Sequence, residues 1–434
     1  MDKMADVLGR AGAWCGQNKY LSAIKNAFQN FMPLTIAGAI GVLWCNVLVN
    51  DQTGLGLFFK PIMALDFLNP AFQAVNFCTI SCITVGITLG IAQEIGVWNM
   101  GAERAGYIPG LVGLAAWLSV TNTSHMVEGA KEAFTGIAGN ELGATGLFTG
   151  MIIGVLSVEL FCFFEKQDAL KIKMPEQVPP GVARAFEVLV PATITLIITA
   201  CIGSACYNLT GLYLNDVIKN GIQGPLGAVG ATIPGVMIIY LVIMLFWLVG
   251  IHGNNMLSAV KEALFTPLAL ENVEKFNKGE KPTNIINMYA LQMWGEFGGS
   301  GVTIGLVIAI MIFGKREDNK AIATLSLVPG LFNINETVTF GVPMVLNPIL
   351  GIPFVVAPLI TIIIGYVLTV IGFCPVACLT VPWTTPPIVF GFLATGANVM
   401  GAVTQAILIV VSTVIYVPFL ISYETYQNKQ AAEA

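Results

Sequence analysis

The sequence predicts an all-α polytopic membrane protein, and three observations carry that prediction. Hydrophobic residues make up 56% of the 434 residues and charged residues only 10%, where a soluble domain carries about 25% charged residues. Mean hydropathy is +0.78. Apolar runs long enough to cross a bilayer, about 20 residues each, recur along the whole length. Together they predict about ten transmembrane helices, with re-entrant hairpins where the runs are interrupted and amphipathic interfacial helices beside them.

Residues 1–29 read as an interfacial amphipathic segment, because Tyr20, Leu21, Ile24, Ala27 and Phe28 share a helical face with Lys19, Lys25 and Asn26 between them. Asp2, Lys3, Asp6, Arg10, Lys19 and Lys25 leave no continuous apolar core there, so no cleavable signal peptide is expected. Spans are expected near 31–49, 71–92, 105–121, 143–164, 186–207, 227–250, 301–314, 348–372 and 401–423. The stretches 321–345 and 373–400 are apolar but interrupted by Pro329, Gly330, Gly341, Pro343, Pro375, Pro382, Pro386 and Pro387. Irregular backbone at membrane depth is tolerated only inside protein or along a wet cavity, and many transporters build their sites from it. The chain therefore divides into a regular half, 1–210, read as scaffold, and an irregular half, 211–434, read as substrate-binding.

Orientation follows from positive charge in short connections. Lys3, Arg10, Lys19 and Lys25, then Lys166, Lys171, Lys173 and Arg184, then Lys315, Arg316 and Lys320 mark cytoplasmic segments, whereas 50–70 holds only Lys60 and 122–142 only Lys131. Both termini are placed in the cytoplasm. Counting spans one by one would leave Lys315 outside, so 253–285 is expected to contain a further crossing or a re-entrant segment.

A net charge of -5 gives no reason to expect nucleic acid. The nine cysteines lie mostly in apolar segments, and Cys78/Cys82 and Cys374/Cys378 lack the histidine or carboxylate that zinc or redox chemistry requires. They read as packing residues, with no metal site.

Ionisable groups at membrane depth are expensive and mark function. Glu336 stands in FNINETVTFGVP between apolar runs, flanked by Asn333, Asn335, Thr337 and Thr339. His252 and Asn254 follow the apolar run that holds Trp247, in a Gly-Ile-His-Gly-Asn-Asn break. Glu296 opens the glycine-rich run EFGGSG, which lacks the Lys-Ser/Thr ending of a nucleotide loop and reads as close packing. Glu159 and Glu262 read as partly exposed or paired, and His125 as a loop residue. Trp383 lies in PWTTPP. Aromatic rings cover the apolar faces of sugar rings, while Asn, Glu and His bind their hydroxyls, so Trp247 and Trp383 beside these groups would make a sugar site; belt tryptophans at the membrane interface are the alternative.

The motifs Gly250-Ile-His-Gly253, Phe297-Gly-Gly-Ser-Gly301, Phe332-Asn-Ile-Asn-Glu336, Phe340-Gly-x-Pro343, Leu346-Asn-Pro348 and Pro382-Trp-Thr384, with Ala23-Ile-Lys-Asn26 and Met32-Pro-Leu-Thr-Ile-Ala-Gly38, resemble the membrane (IIC) components of the lactose/cellobiose/diacetylchitobiose family of the bacterial sugar phosphotransferase system. They occur in the family's order along essentially the whole chain. The resemblance implies a permease of the bacterial cell membrane, dimeric through its N-terminal half and moving its C-terminal half like an elevator. It would take up a β-linked disaccharide of the diacetylchitobiose or cellobiose type and have the 6-hydroxyl phosphorylated by a phosphocysteine on a soluble IIB protein, with IIA upstream. By motif, Glu336 and His252 are implied beside that hydroxyl, and Asn335, Trp247 and Trp383 along the sugar. Asn333, Asn254 and Glu296 complete the candidate set. Thr337 departs from the family, where many relatives carry proline.

No cofactor is implied, since the phosphoryl donor is a protein. No run outside the spans is long enough for a IIB domain, so IIA and IIB are expected as separate partners. Two other classes fit parts of the pattern. A secondary active transporter could use Glu336 as its proton carrier. A passive channel fits less well, because no ring of like charges forms a filter.

Overall fold

The computed structural model describes residues 10, 13–14, 17–51, 55–125, 134–175 and 177–433. Lys3, Cys15 and Lys131 lie outside the described residues. Among the described residues the regular structure is helical apart from one short antiparallel pairing, Ser124–His125 with Phe134–Thr135. His125 sits in that pairing, with its imidazole Nε2 3.2 Å from the Asn122 carbonyl. Five helices are long and apolar enough to cross a membrane, six if one bent pair is a single span, and three shorter apolar helices accompany them among the described residues. Two compact units divide the chain.

One unit comprises Gln17–Gly38 and Ala74–Gly227. Helix α1, Lys19–Leu43, runs on through a π-turn to Leu48 as one stretch of 30 residues. The expected interfacial segment from Lys19 onward is therefore continuous with the first span. Nothing in 19–30 breaks a helix, and Lys19 is anchored to Glu159 at 2.5 Å and to Asn99 at 3.3 Å, which also pairs Glu159 as expected. Next come α2, Asn69–Asn76, and α3, Ile83–Met100, with a π-turn at Phe77–Ser81 and a bend of 42°. Inserted π-turns commonly kink a helix.

Helices α4, Ile108–Val120, α5, Ala144–Glu165, and α6, Pro180–Thr210, complete this unit. A Cβ on Gly113 would lie 2.3 Å from Ala92 Cβ, and one on Gly150 2.2 Å from Thr88 Oγ1. Small residues therefore bring α3, α4 and α5 into backbone-level contact, the usual basis of helix packing in lipid. Trp117, fully buried, fills the core beside Ile153 and Leu196. At the end of α5, Glu165 is 3% exposed and accepts from Arg104 Nε at 2.9 Å and Arg184 Nη1 at 2.8 Å. Glu187 takes a second bond from each arginine.

The other unit contains Ala39–Gln73 and Ala228–Ala434. Its elements are α7, Ile233–Leu248; α8, Ser258–Asn277; α9, Met288–Gly295; α10, Ile304–Phe313; α11, Glu317–Leu331; α12, Glu336–Gly341; α13, Gly351–Val370; α14, Val389–Ala394; and α15, Val399–Glu433. Helix α8 occupies most of 253–285, where a further crossing or re-entrant segment was expected, but it is not among the helices long and apolar enough to cross a membrane. The interrupted stretch 321–345 stays helical to Leu331, with Pro329 in the last turn of α11, and breaks only from Phe332 onward.

Buried asparagines replace regular pairing in the irregular segments, as buried polar groups require. Asn287, fully buried, caps α9 by accepting from the N–H groups of Tyr289 and Ala290 and donates to the Ala377 carbonyl at 3.1 Å. Asn272 of α8 donates to the same carbonyl at 3.1 Å. The N–H groups of Lys315 and Arg316 donate to Glu424 of α15 at 2.8 and 3.3 Å. The basic loop thus lies beside the C-terminal part of α15. In that loop the Arg316 guanidinium holds the Asp318 carboxyl below its usual range.

Candidate functional site

Three breaks in the helices, 249–257, 296–303 and 332–335, meet in the second unit, together with the Pro382–Pro387 turn. Helix α7 ends at Leu248, Gly250 follows with φ +83°, and the chain reverses into the short helix Gly253–Met256. A Cβ on Gly253 would lie 2.0 Å from the Ile243 carbonyl, so the turn closes against its own helix. His252 sits at that turn, with its Nδ1 accepting from the Asn255 N–H at 3.2 Å. Nε2 is therefore left to face outward.

His252 Nε2 lies 3.8 Å from Glu336 Oε1, with the two side chains 37% and 48% exposed. So open a pair contributes about 0–1 kcal/mol. Stability alone is therefore a weak reason for this pair, and chemically an imidazole and a carboxylate at such a separation can orient a hydroxyl or exchange its proton. Glu336 begins α12 after Asn333, which adopts φ +63°.

The EFGGSG run forms the floor beneath this pair. Gly298, Gly299 and Gly301 all have positive φ, as does Val302 at +50°, conformations that favour glycine. A Cβ on Gly299 would lie 2.6 Å from Asn335 Cβ, so the loop lies against the asparagines preceding Glu336. Asn335 Nδ2 donates to the Ser300 carbonyl at 2.8 Å, Asn254 Nδ2 to Ser300 Oγ at 3.0 Å, and the Gly298 N–H to Asn333 Oδ1 at 2.6 Å. Close packing was the expected role of these glycines, and their partner proves to be the asparagine motif.

Asn333 also donates to the carbonyls of Trp383 and Thr385, which ties the PWTTPP turn to the same site. The Trp383 ring is 44% exposed and can offer a face to a ligand. The Trp247 ring is 2% exposed, with its centroid 4.3 Å from that of His252 and 6.4 Å from that of Phe354. In this conformation Trp247 backs His252. The side-chain Oδ1 of Asn254 is buried without a hydrogen-bond partner, an acceptor free to take a ligand's hydroxyl.

Glu296 points elsewhere. Its Oε1 accepts from Tyr240 Oη at 2.7 Å and is paired with Lys261. The residue-by-residue reading missed Lys261, Tyr240 and Ser300. A lysine among apolar segments signals a buried counter-ion, which would have found Lys261; Ser300 lies inside the EFGGSG run without being singled out, and nothing in the sequence marks Tyr240. Glu262 bonds to the Thr266 hydroxyl one turn along α8 and takes no part in this cluster.

These features define a membrane-embedded, all-helical protein with one polar site built on interrupted helices. The family model for the phosphotransferase system EIIC component matches residues 25–358. The oligo-beta-mannoside-specific EIIC component of Bacillus subtilis (strain 168) is 32% identical over 96% of this chain and 93% of its own length. The cellobiose-specific EIIC component of Lactococcus lactis subsp. lactis (strain IL1403) is 30% identical over 96% and 97%. The crystal structure of the transporter ChbC, the IIC component from the N,N′-diacetylchitobiose-specific phosphotransferase system, superposes with a TM-score of 0.88 at 29% identity, covering 97% of both chains.

The chain belongs to the phosphotransferase system EIIC family, a family of integral membrane permeases.

Proposed function

We propose that this protein is the sugar permease of a phosphotransferase system and takes up a β-linked disaccharide of the cellobiose or diacetylchitobiose type with phosphorylation of its 6-hydroxyl. The observation that carries the reading is the His252–Glu336 pair, 3.8 Å apart and half open, amid amides and an exposed tryptophan. The names of the similar proteins supply the sugar class.

The sugar stacks on Trp383 and places its hydroxyls among Asn254, Asn335 and Asn333. Its 6-hydroxyl lies between His252 and Glu336. A phosphocysteine on a soluble IIB protein, itself recharged through IIA, presents the phosphoryl group. The hydroxyl oxygen forms the new bond to phosphorus as the phosphorus–sulfur bond breaks and the thiolate leaves. The hydroxyl proton passes to Glu336 or His252. Phosphoryl transfer depends mainly on positioning and electrostatics, so orientation by Glu336 counts as much as its basicity. A protonated His252 would also offset the charge of the incoming phosphoryl group.

Every candidate site residue belongs to the unit containing 228–434. This supports an elevator motion in which that unit carries the sugar while the other serves as dimer scaffold in the bacterial membrane, with both termini cytoplasmic.

The test uses proteoliposomes with labelled cellobiose or diacetylchitobiose, with and without phosphorylated IIB. Phosphorylated sugar should accumulate only with IIB, and Glu336→Gln and His252→Ala should each lower its formation at least a hundredfold while the protein remains folded. Accumulation of unmodified sugar under a proton gradient alone would instead establish a proton-coupled transporter.

A further inference from the structure

We infer that Lys261 and Tyr240 are positioning residues for the sugar site, acting through Glu296 to hold the loop that carries Ser300. This inference rests on the proposed function for its substrate, and on the geometry alone for its mechanics.

Glu296 is the first residue after α9 and the entry to the 296–303 loop. Its carboxylate is gripped from two other helices. Tyr240 of α7, 1% exposed, donates to Oε1 at 2.7 Å, and Lys261 of α8, 5% exposed, pairs with the same oxygen. The Lys261 ammonium also lies 5.5 Å from the centre of the Tyr240 ring, a cation–π distance. Four residues on, Ser300 receives Asn254 on its hydroxyl and Asn335 on its carbonyl. Asn335 immediately precedes Glu336.

The grip on Glu296 therefore sets where the loop stands, the loop sets Ser300, and Ser300 sets the two amides that flank the reacting hydroxyl. Nothing else in the loop explains a buried lysine here. A buried ion pair is a weak source of stability, since desolvation offsets its attraction, but losing one partner leaves an uncompensated charge. What such a pair can supply is a fixed geometry, and this loop needs one, because four of its residues adopt positive φ.

Lys261→Met should therefore displace the loop, because Glu296 must turn toward water. Lys261→Met combined with Glu296→Gln restores neutrality and keeps an acceptor for Tyr240. Lys261→Arg keeps the charge. The full chain in detergent or proteoliposomes is measured three ways: cellobiose or diacetylchitobiose affinity, turnover of IIB-dependent phosphorylation at saturating sugar, and hydrogen–deuterium exchange across 296–303.

Lys261→Met should weaken sugar affinity and turnover at least tenfold each and speed exchange in 296–303 selectively. The double variant should return all three to within threefold of wild type, and Lys261→Arg should retain most of them. A double variant as impaired as Lys261→Met would overturn the inference and make Lys261 a direct contact to sugar or phosphoryl group. Slow exchange in 296–303 in Lys261→Met with normal affinity would overturn it as well, as would loss confined to thermal stability. Exchange requires no substrate, so a wild type that neither binds nor phosphorylates the sugar would refute the proposed function while leaving this loop test decisive.

Discussion

Replacing Gln405 by leucine should open the hairpin that ends in α14. Gln405 lies on α15, is 1% exposed, and uses its whole side chain on backbone groups. Its Oε1 accepts from the N–H groups of Ile388 and Gly391 at 2.8 and 2.7 Å, and its Nε2 donates to the Met293 carbonyl at 3.2 Å. It thus does for the six-residue α14 what an N-cap residue does for a longer helix.

Leucine has similar bulk and no polar atom, so those three groups lose their partners. A buried group left without one costs about 1–3 kcal/mol. Ile388 is partly exposed, and water recovers some of its share; the other two groups alone come to about 2–6 kcal/mol. The same turn stores strain, because Ile388 is β-branched and sits at φ +76°, a conformation that costs about 1–3 kcal/mol. Opening the turn releases that strain, so the cost of the substitution appears as local unfolding. The assay is hydrogen–deuterium exchange of the full chain in detergent. Protection of the amides in 388–394 should fall at least tenfold, about 1.4 kcal/mol, while α10 keeps its protection. A change below threefold in 388–394 would show that Gln405 does not hold the hairpin.

Two further outcomes follow from packing and charge. Gly301→Ala places a Cβ 2.3 Å from the Phe354 ring at φ +80°; backbone strain and overpacking together should cost about 2–5 kcal/mol, read as a lower thermal midpoint in detergent, and a midpoint within 1 °C of wild type would contradict this. Glu165→Leu strips Arg104 and Arg184 of their shared buried carboxylate; because Arg104 is half exposed, the loss should stay near the lower end of the 3–5 kcal/mol typical of a broken buried pair. Thermal denaturation should show that loss, and sugar affinity of the folded fraction should be unchanged.

Much of the candidate site was legible in the chain. Glu336, His252 and Asn254 announce themselves because polar groups on proline- and glycine-interrupted apolar runs have few inexpensive explanations in a membrane. The span near 143–164 is likewise a property of hydropathy, and α5 occupies Ala144–Glu165. Other features were hidden. Lys19–Leu43 forms one helix although an amphipathic start and an apolar continuation read as two elements, because periodicity reports faces and not continuity. Glu296 resembles Glu336 in sequence, yet Tyr240 and Lys261 occupy it.

By itself the sequence determined that the chain is helical and membrane-embedded, and it marked the polar groups that are costly at membrane depth. Those properties follow from local composition and transfer free energy, which need no partner to be evaluated. Only the tertiary structure decided that His252 faces Glu336 at 3.8 Å, that Ser300 joins Asn254 to Asn335, and that Glu296 is held from α7 and α8. These are pairings between residues far apart in the chain, and which charge meets which depends on how separate helices pack.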